Sequence, residues 1–506
     1  MKSKLSLFGT LMVPLLASVF LLSNMVTQAQ DDATIPKYDL TNPAAPFIFS
    51  HDVAIEKGAT AEWRKMEGLA MDSTKKMVYF ADTEIGKGMS DDKGNIQLKG
   101  NKCGVVWAGQ LDDSNNISTL KQVIIGGPFD DSNKDYSCNQ DAIANPDNLS
   151  VDSKGNLWIG EDTDYHHNQI LWMWNGKELK RFATMPEGAE VTGVRAEPNG
   201  TLFLNIQHPS ATNVYPYNRA TVGVITGFKA GDDFTPVSIP TGDDMKTLKL
   251  ASGQYQVLAI AGETLPNDTT NAFAGQITRA DGGTLNTCNN PDGNMFLPTT
   301  STGTEGYLYS NWECVPGGVS KLYIKQGSDG TWTSIEGQNV DFSSVNGTQN
   351  NCNASVTPWN TALTGEEYAP DVQEEWDAWE STKDAFSAHL GKAGNPLDYG
   401  YIVELTPAGG EDNGIGTSVV KHYSMGRFSK EMALIMSDSK TAYFGDDGTD
   451  RVLYKYVADK AGDLSAGSLY AAKIKQDGEA LNLEWIMLGQ GKDADIAAEV
   501  AKMAPQ

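Results

Sequence analysis

Histidine is scarce in this chain, with six in 506 residues, and zinc centres built on imidazole need several at short spacing. A histidine-based zinc enzyme is therefore not expected; His166-His167 reads as a polar loop and His208 as a donor behind a metal ligand. Basic residues are also in deficit: 39 Lys and Arg stand against 65 Asp and Glu, a formal charge of −26. Such a chain repels nucleic acid and anionic lipid over long range, so neither is an expected partner. After Leu22 no apolar run is long enough to span a bilayer. There is no convincing Ser-His-Asp set, no glycine loop that would cradle a phosphate ahead of a helix, and no zinc-protease motif. The five cysteines, 103, 138, 288, 314 and 352, are an odd number, so at least one thiol lacks an intramolecular partner. The local pairs Cys103–Cys138 and Cys288–Cys314 are the expected bridges, although spacing alone leaves other pairings open.

What is present begins with Lys2 and Lys4, an apolar stretch from Leu5 to Leu22, and a polar run ending at Thr27-Gln28-Ala29. That is the layout of a secretory signal peptide, cleaved after Ala29, with an uncleaved anchor as the alternative. Losing Lys2 and Lys4 takes the charge from −26 to −28. The mature chain, residues 30–506, is expected to be periplasmic or secreted, a monomer, and free of the membrane once cleaved. With 51 Gly and 21 Pro, its composition is that of a turn-rich β protein.

Three segments align: Met66-Glu67-Gly68-Leu69-Ala70-Met71-Asp72, Pro146-Asp147-Asn148-Leu149-Ser150-Val151-Asp152 and Lys430-Glu431-Met432-Ala433-Leu434-Ile435-Met436. Each runs through a polar turn into an aromatic strand, Met77–Phe80, Leu157–Gly160 and Ala442–Gly445, the signature of a hairpin. A fourth copy starts at Glu190-Val191-Thr192-Gly193 and returns through Leu202-Phe203-Leu204-Asn205. Two weaker copies are read at Tyr307-Leu308-Tyr309 with Ser320–Tyr323, and at Thr357-Pro358-Trp359 with Tyr401–Leu405. Six four-stranded units predict one all-β domain, a six-bladed β-propeller with long loops, because a ring lets neighbouring blades bury faces that none could bury alone. A β-sandwich would not need a repeated hairpin with the same polar ends. Between Gly365 and Leu390 the spacing of Glu374, Trp376, Trp379, Phe386 and Leu390 predicts a short inserted helix.

Glu67 and Asp82, Asp147 and Asp162, and Glu431 and Asp446 are each fifteen residues apart. A hairpin brings such a pair to one end of a blade, so all six are expected around the channel mouth. Glu161, Glu190, Asn205, Asn311, Glu313, Glu366, Glu367 and Asp447 fall at comparable positions. Two like charges about 4 Å apart repel by roughly 4 kcal/mol at an effective dielectric near 20, which points to neutralisation by bound cations. Oxygen ligands suit calcium, and a thiolate among them, for which Cys352 is the candidate, favours iron or zinc. Single Asp or Glu residues in loops more often cap turns or pair with Lys; repetition in register is what lifts this set above that reading.

Several stretches resemble PhoX-type alkaline phosphatases: Asn351-Cys352 with Thr357-Pro358-Trp359-Asn360-Thr361, Leu363-Thr364-Gly365-Glu366-Glu367, Gly426-Arg427-Phe428 with Glu431, and Gly445-Asp446-Asp447. Asn311-Trp312-Glu313 with Val315-Pro316-Gly317-Gly318, Glu190-Val191-Thr192-Gly193 and Asn205-Ile206-Gln207-His208-Pro209 are similar too. Their order differs from the familiar one, as a circular permutation of a closed ring would produce. The resemblance implies hydrolysis of phosphomonoesters to inorganic phosphate by an Fe3+ and Ca2+ cluster in the channel, with a metal-bound oxo or hydroxo group as nucleophile. It makes Cys352, Glu431 and Glu190 iron-side ligands and Glu67, Glu313, Glu366, Glu367, Asp446 and Asp447 further ligands. Asn311 becomes a phosphate contact, with Arg427 or Arg195 supplying positive charge.

Three departures stand out. Cys-Ala-Gly-Gly becomes Cys352-Asn353-Ala354-Ser355, the twin-arginine export signal is missing from the N-terminal segment, and Asn-His-Glu becomes Asn311-Trp312-Glu313. Two rival functions share the fold: a calcium-dependent propeller hydrolase of the lactonase or phosphotriesterase kind, which has no need of Cys352, and a non-catalytic calcium-binding propeller. The latter would use Trp158, Trp172, Trp174 and Trp312 as a recognition face, whereas their strand positions predict packing between blades.

Overall fold

The repeated segments form antiparallel pairs where expected: Met66–Asp72 with Met77–Asp82, Pro146–Val151 with Leu157–Glu161, Glu190–Ala196 with Leu202–Gln207, and Ala433–Ile435 with Thr441–Phe444. This is a computed structural model that describes residue 35 and residues 39–408 and 416–503; the expected signal peptide lies outside the described residues. The architecture is all-β, built from antiparallel sheets. No helix among the described residues is long and apolar enough to cross a membrane.

The two weaker repeats are displaced from their expected places. Tyr307-Leu308-Tyr309 lies inside a second strand, Glu305–Trp312, whose first strand is Pro291–Pro298. Thr357-Pro358-Trp359 is a turn between Asn351–Val356 and Ala362–Glu366. Pro358 has no N–H to give a ladder, and the Thr357 hydroxyl accepts from Thr361 N at 2.9 Å, closing the turn.

The first strands lie side by side in chain order, and Ala433–Ile435 comes back beside Met66–Asp72, with Met66 bridged to Asp446. Glycines allow the close approach. A Cβ on Gly365 would stand 2.1 Å from the Glu431 carbonyl oxygen, and one on Gly445 would stand 2.1 Å from that of Met66. The C-terminal strand Ala480–Lys492 pairs through Leu481 and Asn482 with Leu120 and Thr119, so the first and last sheets merge into one of nine strands.

Between the sheets lie the large side chains. Trp158 packs edge-on against Phe182 at 5.0 Å, and Trp158, Trp172 and Trp312 are at most 1% exposed. These three rings are core, and the fourth, Trp174, is half-buried and packs edge-on against Tyr79 at 6.2 Å. The inserted helix runs Gln373–Leu390 and buries Trp376, Trp379 and Phe386. It starts later than Gly365 because Gly365-Glu366 completes the strand Ala362–Glu366. Disulfides join Cys103 to Cys138 and Cys288 to Cys314, and Cys352 is a buried free thiol.

At the C-terminal end, buried His422 lies 2.8 Å from Asp493, the first residue of the helix Asp493–Lys502, and 3.0 Å from Glu404. Burial lowers the affinity of this imidazole for a proton, but the two carboxylates outweigh it and raise its pKa to about 9. A raised folded-state value stabilises fully below the unfolded value near 6.5 and ceases to do so as pH rises through about 9. The stability advantage of the parent protein over His422→Gln is therefore expected to shrink by about 3 kcal/mol between pH 6 and pH 10. Urea denaturation of both proteins across that range checks it.

Candidate metal centre

A local irregularity repeated in the first strands builds the site. Met66 pairs with Asp82 and Leu69 with Phe80, so Glu67 and Gly68 together oppose one residue. The same two-against-one bulge recurs at Asp147-Asn148, Asp292-Gly293 and Cys352-Asn353. Bulges re-aim side chains, and here Glu67, Asp147, Asp292 and Cys352 all line one cavity of about 220 Å³, with Glu431 beside them. In the third unit the bulge falls at Gly193-Val194. A Cβ on Gly193, which has φ +60°, would meet the Asn205 amide at 2.3 Å, so the acidic group comes instead from Glu190 at the start of the strand.

A second tier follows the ends of the second strands: Asp162, His208, Glu313 and Glu367 line the same cavity. Three overlapping sets place their ligand atoms within 4.8 Å of one another: Asp292, Glu313 and Cys352; Cys352, Glu367 and Glu431; and Glu67, Glu431 and Asp447. Cys352 and Glu431 each belong to two sets. Cys352 Sγ is 3.1 Å from Asp292 Oδ2 and 3.0 Å from Glu431 Oε2.

Polar neighbours hold these acids in place. Asn350 donates to Glu313 at 3.1 Å and Glu367 at 2.9 Å, and Asn148 donates to Asp147 at 3.0 Å. Thr83 donates to Glu67, and His208 lies 3.1 Å from Glu190. The lysine of the cavity, Lys65, sits 3.1 Å from Glu67, which pulls its pKa up. One lysine does not neutralise this many carboxylates. Burial, reinforced by mutual repulsion, pushes the carboxyls of Glu67, Asp147, Glu190, Glu367 and Glu431 well above their usual range. Asp292 and Glu313 are raised to about 7, and burial pushes the Cys352 thiol up. Asp147 Oδ1, Asp292 Oδ1 and Asp447 Oδ1 are buried without a donor. Buried carboxyl oxygens with no hydrogen-bond partner, crowded by other acids, fit bound cations.

The structure thus brings together Cys352, Glu431, Glu190, Glu67, Glu313, Glu367, Asp447, Asp147 and Asp162. Three expected ligands are elsewhere. Asp82 accepts from Trp107 Nε1 at 2.9 Å. Glu366 is 3.0 Å from buried Lys421 and accepts from Gly400 N and Tyr401 N. Asp446 accepts from Val452 N at 3.3 Å. Glu366 pairs with Asn351 and Asp446 with Met66 at the strand ends and both turn away from the cavity, while the next residues, Glu367 and Asp447, reach the site. The fifteen-residue spacing misleads because the hairpins differ in length. Met66 pairs with the residue sixteen further on and Pro146 with the residue fifteen further on. One count therefore places Asp162 in the cavity and Asp82 outside it.

The expected phosphate contacts also lie outside the cavity. Asn311 donates to Cys352 O at 2.5 Å from behind the ligand strand. Arg427 is buried against Tyr399 O and Ile48 O. Arg195 pairs with Glu197 and lines a separate hollow further along the first strands, with Asn294 and Asn353. Missing from the sequence-based set were Asp292, Lys65 and Tyr368. Asp292 had a signal, since Pro291-Asp292 repeats Pro146-Asp147.

An all-β chain with a buried carboxylate and thiol cluster defines a candidate metalloprotein. It belongs to the PhoX alkaline phosphatase family: the family model for alkaline phosphatase PhoX matches residues 35–210 and 319–505. Among solved structures it is similar to a calcium-binding protein, regucalcin, from Agrobacterium tumefaciens, at 9% identity over 86% of this chain and 96% of that one, TM-score 0.35. It is also similar to the Dos1 propeller, at 8% identity over 85% and 94%, TM-score 0.32. A gluconolactonase from Xanthomonas campestris matches at 12% identity over 61% and 85%, TM-score 0.26. Likenesses this distant carry no argument about chemistry. No curated protein matches.

Proposed function

We propose that this chain is an exported, six-bladed β-propeller alkaline phosphatase that hydrolyses small phosphomonoesters at a mixed iron and calcium centre. The observation that carries this is the cluster: six carboxylates and one thiol in three overlapping sets, in a chain of a phosphatase family. The cyclic order of the first strands supports the ring of six. Cys352 is the soft ligand and belongs with iron, alongside Asp292, Glu313, Glu367 and Glu431, whereas the all-oxygen set of Glu67, Glu431 and Asp447 suits calcium. Bound cations would supply Lewis-acid charge for the phosphate oxygens and activate water.

The chain's own residues bind and orient. Lys65 offers an ammonium group at the cavity wall for a phosphate oxygen, held in place by Glu67. Asn350 fixes Glu313 and Glu367 relative to each other, and His208 fixes Glu190. Two disulfides suit an oxidising compartment, in line with export.

The test is hydrolysis of p-nitrophenyl phosphate at alkaline pH by the mature protein, before and after chelation, beside a lactone and a phosphotriester. Chelator-sensitive release of phosphate from the monoester, far above the other two, is the expected result. Preferential turnover of the lactone or triester would replace this function with the calcium-hydrolase one.

A further inference from the structure

The phosphate end of a monoester must face the buried acids and their cations, which leaves its organic part at the mouth. Three side chains on the cavity wall are substantially open to solvent there: Lys65, His208 and Tyr368. Lys65 is engaged by Glu67, and His208 by Glu190 and Gly188 O. Tyr368 is 44% exposed, so part of its ring stays open to solvent, while the charge of the nearby Glu367 carboxylate, then burial, pushes its phenol pKa up. It directly follows Glu367.

Its backbone is in the left-handed region, φ 52°, which a bulky aromatic residue rarely adopts. Two neighbours enforce that conformation: Tyr368 N donates to Ser429 Oγ at 2.8 Å, and Gln349 Nε2 donates to Tyr368 O at 2.5 Å. Strain of this kind persists only where the surroundings over-determine it, and it concentrates at functional sites. The backbone of Tyr368 is thus fixed on both sides, while part of the ring stays open to solvent.

We propose that Tyr368 is a specificity-determining residue whose ring packs against the organic group of the substrate, favouring aryl and other flat alcohol components over small aliphatic ones. This rests on the phosphomonoesterase function proposed above. An offset or edge-on aromatic contact adds about 0.5–1.5 kcal/mol beyond buried area, so its loss is expected to cost roughly twofold to tenfold in affinity.

Two measurements test it on the metal-loaded full-length mature protein. In calorimetry, phenylphosphonate, which is not hydrolysed, should bind more tightly than methylphosphonate. Tyr368→Ala should remove that preference, and Tyr368→Phe should keep it. In kinetics, Tyr368→Ala should raise KM for p-nitrophenyl phosphate about twofold to tenfold more than KM for glycerol 2-phosphate. Equal losses for both ligands and both substrates, or no change in either, would overturn the assignment of Tyr368 while leaving the phosphatase standing. If the parent protein turned over no monoester and bound neither phosphonate, the function itself would fail and this inference with it.

Discussion

Replacing Glu431 with Gln is expected to lower phosphomonoester turnover at least about a hundredfold and to strip the protein of more than one metal ion. Changes in groups that merely orient a ligand cost about tenfold to a hundredfold, and Glu431 belongs directly to two of the three ligand sets. Folding should survive. Burial, reinforced by the charges of Asp147, Glu67, Asp447 and Asp292, raises the Glu431 pKa, so a neutral side chain at this position suits the metal-free protein. Activity, metal content and melting temperature in chelator, measured on one preparation, check this. A variant that lost activity only because it no longer folded would show a lowered melting temperature in chelator as well.

Glu366→Gln and Glu367→Gln are expected to separate stability from metal binding, although the residues are adjacent. Glu366 and Lys421 are both fully buried and 3.0 Å apart, and Glu366 also accepts three backbone N–H bonds. Breaking one side of a buried pair costs about 3–5 kcal/mol, so Glu366→Gln should unfold at clearly lower denaturant concentration while still binding metal. Glu367 faces Glu431, Glu313 and Asp447. Its Gln variant should be as stable as the parent in chelator yet lose metal and activity. Equal losses of metal in both variants would contradict the assignment of Glu366 to the sheet.

Where the sequence was legible, a local pattern and a tertiary consequence coincided. Hairpins such as Met66–Asp82 carry their apolar alternation, turn and terminal acid within seventeen residues, and these strands lie where the pattern puts them. The inserted helix was legible for the same reason, as Trp376, Trp379 and Phe386 mark one buried face. Facing within a strand was not legible. Glu366-Glu367 and Asp446-Asp447 read as doubled acids, and only pairing register decides which of each pair enters the cavity. Register in turn depends on hairpin length, which differs by one residue between Met66–Asp82 and Pro146–Glu161.

Asp292 was hidden for another reason. Its strand, Pro291–Pro298, lies in the stretch 211–318 that the family match leaves out, and the more aromatic Tyr307-Leu308-Tyr309 drew the repeat one strand too far. Arg427 and Asn311 sit beside motif residues in the chain, but each is spent on backbone carbonyls behind the ligand strands. Lys65, two residues before Glu67, carries a positive charge to the cavity that a search for arginine passes over.

Elemental analysis of the purified mature protein, paired with its p-nitrophenyl phosphate activity, tests the metal cluster most directly. Iron together with calcium, more than one ion per chain, is expected in the active parent protein, with iron lost and activity abolished in Cys352→Ala. Full activity in a Cys352→Ala protein that holds calcium alone would contradict it.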